Sequence, residues 1–379
     1  MQTSLSTASS ELSLKERFIR MKKIIINITA IILVIIILAF LQTLLKPKYM
    51  SSIHEGNLVE EYYKEKKNHD VIFIGDCEVF SNISPVSLWE EYGITSYIRG
   101  SAQQLVWQSY YLLEDTLTYE KPKVVVFNVL AMKYNEPQKE AYNRLTLDGM
   151  KLSVAKLKAI KASMTEGEEM ITYLFPLLRY HSRWKELKGE DFKYLFHKDN
   201  LSHNGYLMRA DIKPVDMIPK GKKLSDYRFG DKAYAYLDRI TRLCKKHDIR
   251  LILIKSPSVY PYWYKEWDAQ MSEYAKTNNL TYINFLENVQ GIGIDYNRDT
   301  FDGGLHLNLS GAEKFTSYFG QILREEFSVP DHRKDKNYTR LWDKKVAFYE
   351  AMREDQTGEL NQYGYLKSCG MVAQVPDKD

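Results

Sequence analysis

The chain reads as an α/β protein of three α/β/α layers, a parallel sheet with helices on both faces, carrying a helical insertion and one N-terminal transmembrane helix. Three observations predict this. Short apolar runs alternate with helical segments between residues 70 and 330; strands that alternate with helices form parallel sheets, because each crossover must bring the chain back to the same end. Residues 135–228 interrupt that alternation and form the insertion. Residues 24–45 are apolar almost throughout, broken only by uncharged Asn27, Thr29, Gln42 and Thr43, and a bilayer core needs about 20 residues of helix.

Taken in order, residues 1–20 are rich in Ser and Thr and read as a short disordered tail. Lys15, Arg17, Arg20, Lys22 and Lys23 precede the apolar stretch, so the positive-inside rule places residues 1–23 in the cytoplasm and everything after the membrane helix outside the cell membrane. A cleaved signal peptide is the competing account, with a shorter apolar core and small residues at its end. The stretch instead runs into Leu44-Leu45-Lys46-Pro47-Lys48-Tyr49, which favours an uncleaved anchor. Residues 46–69 link it to the domain through a charged amphipathic helix over 58–67.

Val71-Ile72-Phe73-Ile74 is a strand by its β-branched and aromatic content. A helix follows from Pro85 to Tyr92, with Ser84 at the N-cap and Pro85 at the first helical position. The apolar stretch Ile94-Thr95-Ser96-Tyr97-Ile98, a helix over 103–118 and the strand Val124-Val125-Val126-Phe127, closed by Asn128, come next. After the insertion, a helix over 231–246 puts Leu237, Ile240 and Cys244 on one buried face, and the runs Leu251-Ile252-Leu253-Ile254 and Thr281-Tyr282-Ile283-Asn284-Phe285 are further strands. A helix near 311–326 closes a domain spanning 70–330. Residues 331–379 are a charged extension, with a helix over 339–353 expected to pack through Leu341, Val346 and Phe348.

Composition excludes several functions. A net charge of +4 without a basic stripe argues against nucleic acid. Three cysteines without regular spacing make neither a disulfide framework nor a zinc site, and Cys369 falls in the C-terminal tail. With no Gly-rich phosphate loop either, no cofactor is expected. The 28 tyrosines suit a sugar-binding cleft or simply pack with their hydroxyls at the surface.

Gly75-Asp76-Cys77 ends the first strand. A Gly turn into a helix points the next side chain toward solvent, beside helix-start N–H groups able to hold an oxyanion. Arg99-Gly100-Ser101, Asn128 and the run Thr300-Phe301-Asp302-Gly303-Gly304-Leu305-His306-Leu307-Asn308 follow in order. In these segments the chain resembles the SGNH (GDSL-type) hydrolases, within them the cell-surface members related to the teichoic-acid D-alanylation protein DltD. The resemblance covers roughly residues 70–130 and 250–327. It implies that Cys77 stands at the nucleophilic Ser, Gly100 and Asn128 at the oxyanion donors, His306 at the general base and Asp302 at the orienting acid.

Two positions depart from the family pattern. The family places its acid three residues before the histidine, where this chain has Gly303; Asp302 lies one residue farther, and the two glycines can absorb the difference, with Asp299 and Asp295 as substitutes. The nucleophile is Cys77, which leaves three readings: a working thiol, whose pKa near 8.5 a helix start or His306 would lower; a binding site that has lost its chemistry, which the acidic neighbours Asp76 and Glu78 favour; or a redox thiol, for which no partner cysteine is evident.

The insertion carries Arg179-Tyr180-His181-Ser182-Arg183-Trp184 and Ser202-His203-Asn204-Gly205-Tyr206. Arg179, His181, Arg183 and Trp184 either line a substrate cleft as a lid, with an arginine on a phosphate or carboxylate, or form a solvated helical cover. Tyr260-Pro261-Tyr262-Trp263-Tyr264 is a sugar platform or a packed turn. The resemblance implies an ester hydrolase or O-acyltransferase acting on a cell-envelope glycopolymer, teichoic acid or exopolysaccharide, beside a membrane-bound O-acyltransferase. The rival is a silent domain of the same fold that binds such a polymer or such an enzyme.

Overall fold

A computed structural model describes residues 3–46, 58–66, 68–137, 139–196, 202–218 and 220–367; Cys369 lies outside them. Five parallel strands, β1 (Val71–Gly75), β2 (Ser96–Gly100), β3 (Val124–Asn128), β4 (Arg250–Lys255) and β5 (Thr281–Asn284), form one sheet in the order β2-β1-β3-β4-β5. The three-layer α/β arrangement expected from the alternation is the one observed.

Period-two geometry explains why β1, β3 and β4 read as continuous apolar runs. Val71, Phe73, Val124, Val126, Ile252 and Ile254 face one layer, built on the Pro85–Tyr92 and Leu309–Glu325 helices. Ile72, Ile74, Val125, Phe127, Leu251 and Leu253 face the other, against the Val106–Thr116, Asp231–Lys246 and Lys265–Asn278 helices. Both faces are buried, so neither can be polar. Ser84 caps its helix as expected, its side chain accepting from Ser87 N–H at 3.2 Å, with Pro85 in the first turn.

Two expectations need correction, and one further helix appears. Residues 3–20 are helical: one helix runs from Thr3 to Leu45, since extending a long helix costs no new nucleation and Leu12, Leu14, Lys15 and Glu16 are good formers. The linker helix is confined to Leu58–Glu61 and a 3₁₀ turn at Tyr62–Lys64, because Tyr62 is drawn into the core below Arg99. The Lys265–Asn278 helix was not anticipated; it buries only Met271 and Ala275, too sparse a stripe to show as a period. The last helix, Lys336–Tyr363, packs on the domain as expected, with Val346 against the core and Phe348 4.7 Å from the His203 ring; its most buried residues are Trp342, Lys345, Tyr349 and Gln356, and Trp342 stacks on Trp89 at 5.2 Å.

The chain divides into two compact units. One holds the sheet and comprises Lys48–Leu174 with Asp199–Asp379; the other joins Met1–Pro47 to Phe175–Lys198, taking one piece of the insertion. In the second unit, residues Arg17–Leu45 are long and apolar enough to cross a membrane, and their most apolar stretch has no protein cover.

Candidate active site

Strand order places the site. The chain runs from β1 out to β2, then crosses back over β1 to β3 and onward, so the order reverses beside β1, and open α/β sheets bind ligands at the carboxyl ends of strands flanking such a reversal. Gly75 ends β1 opposite Gly100 at the end of β2. A Cβ on Gly75 would come within 2.9 Å of Asn128 Cβ, and one on Gly100 within 2.9 Å of Val79 Cγ2. Only glycine lets the next helix settle this close over the strand ends. That helix, Cys77–Asn82, starts with Cys77, which is half-buried, and is capped by Asp76, whose side chain accepts from Glu78 N–H at 3.1 Å.

The histidine loop is closed by a bridge between Thr300 and Leu307. Gly303 and Gly304 take φ of 78° and 97°, left-handed values that other residues adopt only at a cost. That turn brings Asp302 back over His306: Oδ1 accepts the His306 backbone N–H at 2.8 Å and Oδ2 lies 2.5 Å from Nδ1. The bond fixes the ring with its proton on Nδ1 and leaves Nε2 as the basic nitrogen. Asp299 and Asp295 are engaged elsewhere, Asp299 with Lys314 at 2.6 Å and with Asp295 N–H at 2.8 Å, Asp295 with Asn297 N–H at 2.9 Å.

His306 is buried, which opposes its protonation. Against burial act the negative charge of Cys77, then that of Asp302 and the hydrogen bonds, and together they hold its pKa well above the ordinary imidazole value. Nε2 meets no hydrogen-bond partner at ordinary geometry among the described residues. One residue ties the two halves together. Asn82, at the end of the Cys77 helix, accepts Leu307 N–H through Oδ1 at 2.8 Å and donates through Nδ2 to Ser256 Oγ and Ser258 Oγ at 2.7 and 2.8 Å.

Beneath the thiol lies a buried polar network that changes the meaning of its acidic neighbours. Glu78 is completely buried, with Lys255 Nζ donating to Oε1 at 2.7 Å and Asn128 Nδ2 to Oε2 at 2.8 Å. Burial pushes the Glu78 carboxyl up and Lys255 pulls it back only in part. Its charge is thus compensated from below rather than bearing on Cys77 unopposed. Asn128 Nδ2 also donates to Asp76 Oδ1 at 3.0 Å, so both of its amide hydrogens are in use, and Asn128 must share one to serve an oxyanion. Tyr134 borders the site, its hydroxyl pKa raised by burial and then by the charges of Asp76 and Cys77.

Lys255, Glu78 and Asn82 were not singled out in the sequence as members of one cluster. The only local signal is a lysine directly after the apolar run of β4 and before Ser256-Pro257-Ser258. Arg179, His181, Arg183 and Trp184 belong to the unit around the apolar helix, where Arg183 pairs with Asp191 at 2.8 Å and donates to Leu45 O at 3.3 Å. In the Tyr260–Tyr264 run, Tyr260 and Tyr262 are exposed, while Trp263 is buried against Phe229 and Trp267. Cys244 is core, and burial pushes its thiol up to about 12.

No family model matches the chain, and neither does any curated protein. Among solved structures it is similar to a GDSL-like lipase from Bacteroides thetaiotaomicron, at 13% identity and a TM-score of 0.32 over 70% of this chain and 90% of that one. It is also similar to a chain assigned as an acylhydrolase from Bacteroides fragilis, at 12% identity and a TM-score of 0.35 over 70% of this chain and 94% of that one. Likenesses of this size assign neither a family nor an activity.

Proposed function

We propose that this chain is a membrane-anchored, outward-facing enzyme of SGNH type that cleaves or transfers acyl esters of a cell-envelope glycopolymer through Cys77, His306 and Asp302. The observation that carries this reading is the His306 imidazole held by Asp302, with Nδ1 2.5 Å from Oδ2, in a chain whose Cys77 opens the helix at the end of β1. A thiolate paired with an imidazolium is the resting form of a thiol nucleophile. Cys77 Sγ adds to the ester carbonyl carbon, and Cys77 N–H, Gly100 N–H and a shared Asn128 hydrogen receive the oxyanion. The C–O bond then breaks, the leaving alkoxide takes the His306 Nε2 proton, and a thioester remains. Water or a sugar hydroxyl, deprotonated by His306, attacks the thioester and releases the thiolate.

The rival reading is a silent domain that binds a glycopolymer or a membrane-bound O-acyltransferase. It is favoured by one observation, the commitment of both Asn128 hydrogens to carboxylates. Alkylation separates the two. An unperturbed thiol is only a few per cent ionised at pH 7, so pairing with His306 should speed reaction of Cys77 with iodoacetamide about 10-fold over His306→Gln, allowing for the weaker nucleophilicity of an acidified thiol. Equal rates in the two proteins would favour the binder.

Anchoring has its own test. Protease added to intact protoplasts should digest the bulk of the chain and spare a small N-terminal fragment containing residues 24–45. Recovery of the intact domain without the apolar segment would mean cleavage.

A further inference from the structure

We propose that residues 175–196 are a second membrane contact, a foot that rests on the anionic headgroup surface of the bilayer crossed by the N-terminal helix. This rests on the reading of that helix as an anchor. Residues 24–45 at 1.5 Å each span about 33 Å, matching the hydrocarbon core. The outer edge of the bilayer therefore falls at the last turn of the helix, and that turn is where residues 175–196 pack.

Leu44 and Leu45 are buried there, whereas Ile24 to Phe40 expose their apolar side chains. Arg183 completes the junction, donating to Leu45 O while it pairs with Asp191, which also accepts Lys188 N–H.

What this segment presents outward suits a headgroup layer. Phe175, Leu178, Trp184 and Phe192 are all exposed, Trp184 to 63%, and they alternate with exposed Arg179, Lys185 and Lys188. The Lys185 ammonium lies 5.5 Å from the Trp184 ring centroid. Aromatic rings with cationic neighbours are the composition of the membrane–water boundary, where the ring takes the apolar side and the ammonium reaches the phosphates. Over residues 175–196, Arg179, Arg183, Lys185, Lys188 and Lys193 outnumber Glu186, Glu190 and Asp191, a formal charge of +2. The charge suits anionic lipid. On this view Trp184 and its basic neighbours bind lipid rather than the acyl-bearing polymer.

The test uses the full chain in vesicles of phosphatidylcholine and phosphatidylglycerol, with tryptophan fluorescence in acyl-chain-brominated phosphatidylcholine compared against the unbrominated lipid. Brominated lipid should quench the wild type about twofold more than Trp184→Phe, and acrylamide should quench the two proteins alike. Matching circular dichroism shows that the variant folds. Equal quenching of both proteins by brominated lipid overturns the proposal, and so does a Trp184 signal reached by neither quencher, which would mean that protein covers this surface. If the wild-type chain does not float with the vesicles at all, the anchor itself is wrong and the foot falls with it, an outcome read before any fluorescence is measured.

Discussion

Cys77→Ala is expected to abolish hydrolysis of a small acetyl ester such as 4-nitrophenyl acetate, lowering kcat roughly 10⁴-fold or more, the scale on which removal of a covalent nucleophile acts. Cys77→Ser should keep a measurable rate. Its hydroxyl would occupy the place the thiol holds at the start of the Cys77–Asn82 helix, facing an imidazole already fixed by Asp302. The serine variant should be slower than wild type at pH 7, because a hydroxyl holds its proton far more tightly than a thiol and must surrender it during attack. Two results would count against the proposal. If wild type and Cys77→Ser are both inactive while the folded protein binds a glycopolymer, the binding role replaces catalysis. Wild-type activity that survives Cys77→Ala removes Cys77 from the mechanism.

The second large effect is structural. Lys255 and Glu78 are both fully buried and 2.7 Å apart, and removing one partner of such a pair strands a charge in a medium that solvates it poorly. Glu78→Gln should cost about 3–5 kcal/mol of unfolding free energy in urea titration. Lys255→Met should cost a similar amount at pH 8 and less at pH 5. The sign follows from the direction of the Glu78 shift: its folded pKa already lies above the ordinary carboxylate value, and losing Lys255 raises it further. A group whose folded pKa is raised contributes stability below its unfolded pKa and loses it as pH climbs. Combining Glu78→Gln with Lys255→Met should recover part of the loss, since neither charge then remains. Strictly additive costs would show that the two side chains are not coupled.

This pair also bears on chemistry. Glu78 and Asp76 orient the Asn128 amide, and Lys255 holds the Ser256 and Ser258 carbonyls at 2.7 and 3.3 Å. The floor of the site is therefore one polar assembly, joined through Asn82 to the histidine loop.

The sequence by itself determined β1, β3 and β4, because strands buried on both faces need uninterrupted apolar runs, and it marked β2 and β5 by shorter, mixed apolar stretches. It also determined the Ser84-Pro85 helix start, the long apolar helix and the thiol at the end of β1, each written within a few neighbouring residues. Tertiary structure showed how Asp302 reaches His306, through the left-handed turn at Gly303 and Gly304, while Lys314 occupies Asp299. It alone turned Glu78 from a repelling neighbour into half of an ion pair with a residue 177 positions away, and placed Asn82 on Leu307, 225 positions away. The physical reason is range. Periodicity and caps record burial within a turn or a strand, whereas charge compensation depends on which strand ends the topology sets side by side, and β1, β3 and β4 become neighbours only once the crossovers have formed.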